Sequence, residues 1–169
     1  MRRTILAAMV VGAITTLTSC APAAPPAPAG PTPAQSTAAA AALDRQFIEA
    51  FNKADVDALM ATYWNSPNLV SFGPEGMGVK GFDAVKAEAA DMFKTMPGAK
   101  LELVGNNDVH GDFVLGWGTW KMTIPTPAGP QVVDGRFSDV KAMRDGKMVY
   151  IMDHASMPPP PQPPAPVKK

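Results

Sequence analysis

The chain has 169 residues and no formal net charge, with 15 Lys/Arg against 15 Asp/Glu, but its charge is unevenly spread. Thirteen of its 19 prolines lie in residues 21–35 and 158–166, and the 117 residues from Ala41 to Met157 carry eleven basic and fifteen acidic side chains. That stretch is the size of one domain with one core, and its excess of acid without any basic patch excludes a nucleic-acid binder.

Residues 1–19 read as a signal peptide. Arg2 and Arg3 precede an apolar run from Ile5 to Val11 and on to Leu17, too short for a membrane-spanning helix, which needs about 20 residues. Leu17-Thr18-Ser19-Cys20 resembles the lipobox of bacterial lipoproteins, in which the cysteine thiol carries a diacylglycerol. Cys20 is the chain's single cysteine, so with its thiol acylated no disulfide within the chain is expected. Two or three acyl chains give stable anchoring where one would not. Ala21, in place of an Asp after the cysteine, implies by the same resemblance a lipid-anchored protein on the periplasmic face of the outer membrane. Residues 20–40, rich in Ala and Pro, read as a semi-extended tether, and residues 158–169 as a Pro-rich disordered tail.

Between them the periodicity predicts first an amphipathic helix over Ala38–Asn52, with Leu43, Phe47, Ile48 and Phe51 on one face. Asp55 caps a second, short helix bearing Val56, Leu59, Met60 and Tyr63. Leu69–Phe72 and Met77–Lys80 read as short strands about a Gly73-Pro74-Glu75-Gly76 turn, and Phe82–Met96 as a third helix. Four long strands follow, Lys100–Val109, Phe113–Ile124, Gln131–Met143 and Met148–Ser156, with Asp145-Gly146 a strong hairpin turn. Helices followed by an antiparallel run predict an α+β domain over residues 41–157, its helices packed on one face of the sheet.

Three phrases carry a family resemblance. Phe47-Ile48-Glu49-Ala50-Phe51-Asn52-Lys53-Ala54-Asp55-Val56-Asp57-Ala58-Leu59, Val79-Lys80-Gly81-Phe82-Asp83-Ala84-Val85 and Asp145–Ser156 resemble, in order and spacing, the nuclear transport factor 2-like superfamily, which includes the SnoaL-like and ketosteroid isomerase-like proteins. The resemblance implies a cone-shaped fold of three N-terminal helices on a bent antiparallel sheet, with a ligand pocket inside the cone. It also implies a homodimer formed through the convex face of the sheet. Phe47, Phe51, Tyr63, Phe72, Trp120, Tyr150 and Met152 are the expected pocket lining.

Strand alternation, phased by the same resemblance, puts Met148, Tyr150, Met152, His154 and Ser156 inside the cone. Arg136, Ser138, Val140 and Ala142 are inward in the preceding strand. His154, Arg136 and Ser138 are then the candidate catalytic group, an imidazole suited to proton transfer beside a guanidinium that could hold an anion. Asp139 and Asp153 fall on the opposite face, as solvated or interface carboxylates. Trp117 and Trp120 face opposite sides of their strand, one toward the cone and one toward an interface.

Ketosteroid isomerisation needs a carboxylate base and a tyrosine with a protonated aspartic acid at the oxyanion. The corresponding positions fall here on or near Ser71, Phe47 and Ser138, so that mechanism is not expected. The nine methionines of the domain suit core filling better than copper, and no metal or cofactor is expected. The expected function is an envelope lipoprotein whose cone binds a small apolar molecule, or whose sheet binds a protein, without catalysis. The alternative is an isomerase-, cyclase- or lyase-type enzyme using His154 and Arg136.

Overall fold

The computed structural model describes residues 30–74 and 76–158. The expected signal peptide and lipidated Cys20, the first part of the expected tether and the expected tail beyond Pro158 lie outside the described residues.

Helix α1 (Pro33–Asn52) begins earlier than periodicity alone suggests. Thr32 and Gln35 form a reciprocal capping box, Pro33 occupies the first helical position, and the alanine run that follows has the highest helix propensity of any residue. Residues 33–37, grouped above with the tether alone, are therefore helical, and Ser36 and Ala40 are buried. At the other end the Asn52 side chain acts as a strand edge. It accepts from Leu101 N at 2.7 Å and donates to Leu101 O at 3.1 Å, which clamps the helix to the sheet. Asp55 accepts from Ala58 N at 2.9 Å and caps helix α2 (Val56–Met60), as its side chain predicts.

Strands β1 (Val70–Phe72) and β2 (Val79–Lys80) precede helix α3 (Phe82–Thr95). The meander then runs through β3 (Lys100–His110), β4 (Phe113–Ile124), β5 (Gln131–Arg144) and β6 (Lys147–Ser156). The sheet order is β2-β1-β6-β5-β4-β3, antiparallel throughout except where β1 runs parallel to β6. Asp145 and Gly146 both take positive φ, 50° and 77°, which matches the twist of the flanking strands in a two-residue hairpin. The helices cover one face of the curved sheet, with Leu43, Phe51, Leu59, Met60, Leu69 and Val85 buried against Leu101, Trp120 and Tyr150.

One irregularity decides which residues face inward. Lys141 pairs with Tyr150 but Val140 pairs with Met152, so Ile151 is an extra residue bulged out of β6. The cause lies on the other side of the strand. The segment after α2 runs beside it, with Tyr150 N donating to Thr62 O and Trp64 N donating to Tyr150 O, both at 2.9 Å, and β1 takes over the pairing only at Met152.

Candidate functional site

The bulge inverts the alternation of β6. Tyr150 points into the cone as expected, but beyond Ile151 the inward positions are Asp153, Ala155 and Met157. On β5 the inward set is Val133, Phe137, Asp139 and Lys141. This corrects the expected phase. Arg136 and His154 are exposed on the outer, convex side, and Ser138 and Met152 share that phase. His154 Nδ1 lies 3.4 Å from Ser138 Oγ, so these two meet at the rim, whereas Arg136 Nε lies 3.4 Å from Ser156 Oγ on the outer face. His154 and Ser138 touch the cavity only at its margin. Phe72, expected inside, is 39% exposed and packs edge-on to the His154 ring, because β1 pairs Phe72 with His154 in the outward phase.

The cavity inside the cone has a volume of about 600 Å³. Phe47, Phe51, Tyr63, Trp120 and Tyr150 line it as expected, with Leu103, Met122 and Phe137. The two tryptophans separate cleanly. Trp120 is buried and donates from Nε1 to Arg136 O at 3.2 Å, whereas Trp117 is 46% exposed on the convex face. Glycines make room for these rings. A Cβ at Gly135 would lie 2.7 Å from the Trp120 indole, and one at Gly105 would lie 2.6 Å from the Phe137 ring.

Asp139 and Asp153, a directly opposed pair on β5 and β6, both line this apolar space. Asp139 is buried and Asp153 half-buried with its Oδ1 enclosed, so neither is the solvated carboxylate that alternation suggested. Behind them sits Lys141, with no exposed surface. Its ammonium is 2.8 Å from Asp139 Oδ1, 3.0 Å from Asp44 Oδ1 and 2.7 Å from Asn107 Oδ1, and lies 5.1 Å from the centre of the Tyr150 ring. Asn107 Nδ2 donates to Asp44 Oδ2 at 2.8 Å and the Tyr150 hydroxyl to Asp44 Oδ1 at 2.5 Å. Gly116 leaves the space for this network, since a Cβ there would overlap the Asp139 carboxylate and the Lys141 ammonium. The Tyr63 hydroxyl donates to Asp153 Oδ2 in a short hydrogen bond.

Burial pushes the Asp139 carboxyl up to about 6, against the pull of Lys141. Burial also raises Asp153, partly offset by Ser71 and Tyr63. Ser71 lies near Asp153 without a well-directed bond, so Asp153 Oδ1 is buried with no hydrogen-bond partner. Asp139 Oδ1 is likewise within ion-pair distance of Lys141 but poorly aligned for a hydrogen bond. Burial and the adjacent carboxylates hold both Tyr63 and Tyr150 well above the usual phenol range, so both stay protonated donors.

The SnoaL-like domain family matches residues 45–151 of this sequence. The chain belongs to the SnoaL-like family. Solved structures with the same architecture include a nuclear transport factor 2-like superfamily protein of Salmonella enterica serovar Typhimurium, 18% identical over 80% of this chain and 98% of that one, with a TM-score of 0.68. An uncharacterised Caulobacter vibrioides protein with a cystatin-like fold is 22% identical over 74% and 91% of the two chains, TM-score 0.63. A nuclear transport factor 2-like protein of unknown function from Shewanella oneidensis is 22% identical over 71% and 98%, TM-score 0.61. At these identities the likeness is one of fold. No curated protein matches the chain. The SnoaL-like domain therefore accounts for the cone. The Asp44–Asn107–Asp139–Lys141 network was missed because its members come from three elements, and each looks like an ordinary surface charge or amide in its own segment. The one local signal was Asp139-Val140-Lys141, two opposite charges on a single face of an otherwise apolar strand.

Proposed function

We propose that this SnoaL-like domain binds a small, mainly apolar molecule in its cone, with the ligand's polar end directed at Asp139, Asp153 and Tyr63. The observation that carries this reading is the cavity of about 600 Å³, walled by aromatic and aliphatic side chains and polar at one end, the general make-up of a small-molecule site. Native mass spectrometry of the gently purified full chain tests it. A retained small-molecule mass, or a rise in melting temperature with added apolar compounds, is expected. Unchanged melting across a broad apolar panel would sink the reading.

We further propose that the domain is held at the cell envelope as a lipoprotein, through lipid on Cys20. Metabolic labelling with an alkyne fatty acid should mark the parent and not Cys20→Ser. The convex sheet face, which exposes Val104, Phe113, Leu115 and Trp117, is proposed as the contact between two copies of the chain. Trp117→Lys should then convert a dimer to a folded monomer in light scattering, and a parent that is already monomeric at micromolar concentration refutes the contact.

Asp139, titrating near 6 inside the cavity, favours a second reading in which this carboxyl moves a proton on a bound substrate. It replaces the His154–Arg136 version, whose groups lie at the rim and on the outer face. Deuterium exchange into a bound carbonyl compound, lost in Asp139→Asn, would support it, and exchange no faster than in buffer would dismiss it.

A further inference from the structure

We propose that the cavity selects for an apolar ligand whose polar end is a protonated amine, and discriminates against the matching carboxylate. The inference rests on the cavity being a ligand site and names the class of molecule it takes.

Among the described residues, four carboxylates line the cavity, Asp139 and Asp153 within and Glu88 and Asp91 at the rim, and no lysine or arginine does. The nearest buried cation, Lys141, is not free to meet an anionic ligand. Asp44, Asp139 and Asn107 already occupy its ammonium at 2.7–3.0 Å, and it has no exposed surface. A ligand carboxylate would therefore enter a low-dielectric space beside two like charges with no unengaged cation to receive it.

A ligand ammonium meets the reverse situation. Asp153 keeps a buried oxygen with no hydrogen-bond partner, and the Asp139 oxygen paired with Lys141 is poorly aligned for a hydrogen bond, so acceptor capacity is left over where donor capacity is not. Tyr63 and Tyr150 have already committed their hydroxyls, to Asp153 and Asp44. The walls beside these carboxylates are aromatic. Phe47, Tyr63 and Tyr150 pack with ring centres 5.5–6.1 Å apart, and such π-faces attract a cation that has shed its water. The protein already uses this attraction beside the cavity, holding the Lys141 ammonium against the Tyr150 ring.

The charges around Asp139 also set a pH dependence. Facing it are Lys141 on its own strand, Asp153 and Tyr150 from β6, Asp44 from α1 and Tyr63 from the segment after α2, while β4 contributes Gly116. Lys141 is the cation of this set, so an ammonium arriving in the cavity supplies the second positive charge. It would bind best when Asp139 is ionised and would displace its proton at lower pH.

The experiment is isothermal titration of the full chain with octylamine, 1-octanol and octanoate, three probes with one apolar body and different ends. At pH 7.5 octylamine should bind about tenfold tighter than octanol, the worth of a charge-assisted hydrogen bond, with octanoate weakest. At pH 5 the octylamine affinity should fall about tenfold, because only about a tenth of a carboxyl titrating near 6 is then ionised, while octanol affinity should hold. Asp139→Asn should abolish the amine preference, and its retained octanol binding shows that the variant is folded. Asp153→Asn serves if Asp139→Asn does not fold. Equal binding of all three probes, or octanoate binding tightest, overturns the selectivity while leaving the cavity a ligand site. Binding of none of them overturns both.

Discussion

Lys141→Met isolates the energetics of the buried network. The parent side chain is wholly enclosed and ion-paired with Asp44 and Asp139 at 3.0 and 2.8 Å. Methionine fills most of its volume but leaves those two carboxylates without a cation. Removing one partner of a buried pair costs about 3–5 kcal/mol, mostly as the uncompensated charge left behind. The folded unit has roughly 130 residues, and at about 2.1 cal/mol/K of unfolding entropy per residue this corresponds to a fall in melting temperature of about 10–20 °C. The loss must also depend on pH. Lys141 holds Asp139 down, so without it the folded-state carboxyl moves further above 6, while the unfolded value stays ordinary. An acid raised in the folded state takes up protons there first, so the variant's deficit is largest above neutrality and shrinks as pH falls toward 5. Circular dichroism melts of parent and variant at pH 7.5 and 5 measure both quantities. A drop of less than about 4 °C at pH 7.5, or an equal drop at both pH values, would refute the account of a charged network.

Other consequences of the site are open to direct test. Because the Asp139 carboxyl titrates near 6 when folded, Asp139→Asn should gain stability relative to the parent by up to about 3 kcal/mol between pH 4 and 7 in urea unfolding, and a constant difference would contradict the burial argument. Gly116→Ala places a methyl group against the Asp139 and Lys141 side chains and should cost about 1–3 kcal/mol, whereas an unchanged melting temperature would mean that the strand has room to spare. Tyr63→Phe removes the donor to Asp153 and should cost about 1–3 kcal/mol at pH 7.5, with part of the loss recovered at low pH as Asp153 protonates. A loss that grows on acidification would reverse the assigned direction.

What local sequence determined here was the set of elements. The 3.6-residue spacing of Leu43, Phe47 and Phe51, the Asp55 cap, the Asp145-Gly146 turn and the period-two strands are short-range features, and the structure has each where the residues place it. The earlier start of α1 was legible in Thr32, Pro33 and Gln35, but the proline-rich composition around them masked the capping box. The aromatic lining followed too, because Phe47, Phe51, Tyr63, Trp120 and Tyr150 lie before the bulge or on strands whose phase it does not disturb.

The chemistry inside the cone was decided by tertiary structure. A strand's side-chain period is two, so one bulged residue exchanges its faces, and nothing in the local sequence marks Ile151 as that residue. The cause is the pairing of Tyr150 with Thr62 and Trp64, some 90 residues earlier in the chain. That single insertion turns His154 to the rim and brings Asp153 in beside Asp139, while Arg136 and Ser138 face outward because the unbroken alternation of β5 points Phe137, Asp139 and Lys141 inward. The Lys141 network is likewise a property of the fold, since Asp44, Asn107 and Asp139 converge on one ammonium only when α1 lies across the sheet. Local pattern is enough to say which segments bury a face; which face a segment buries beyond a bulge is set by its neighbours in space.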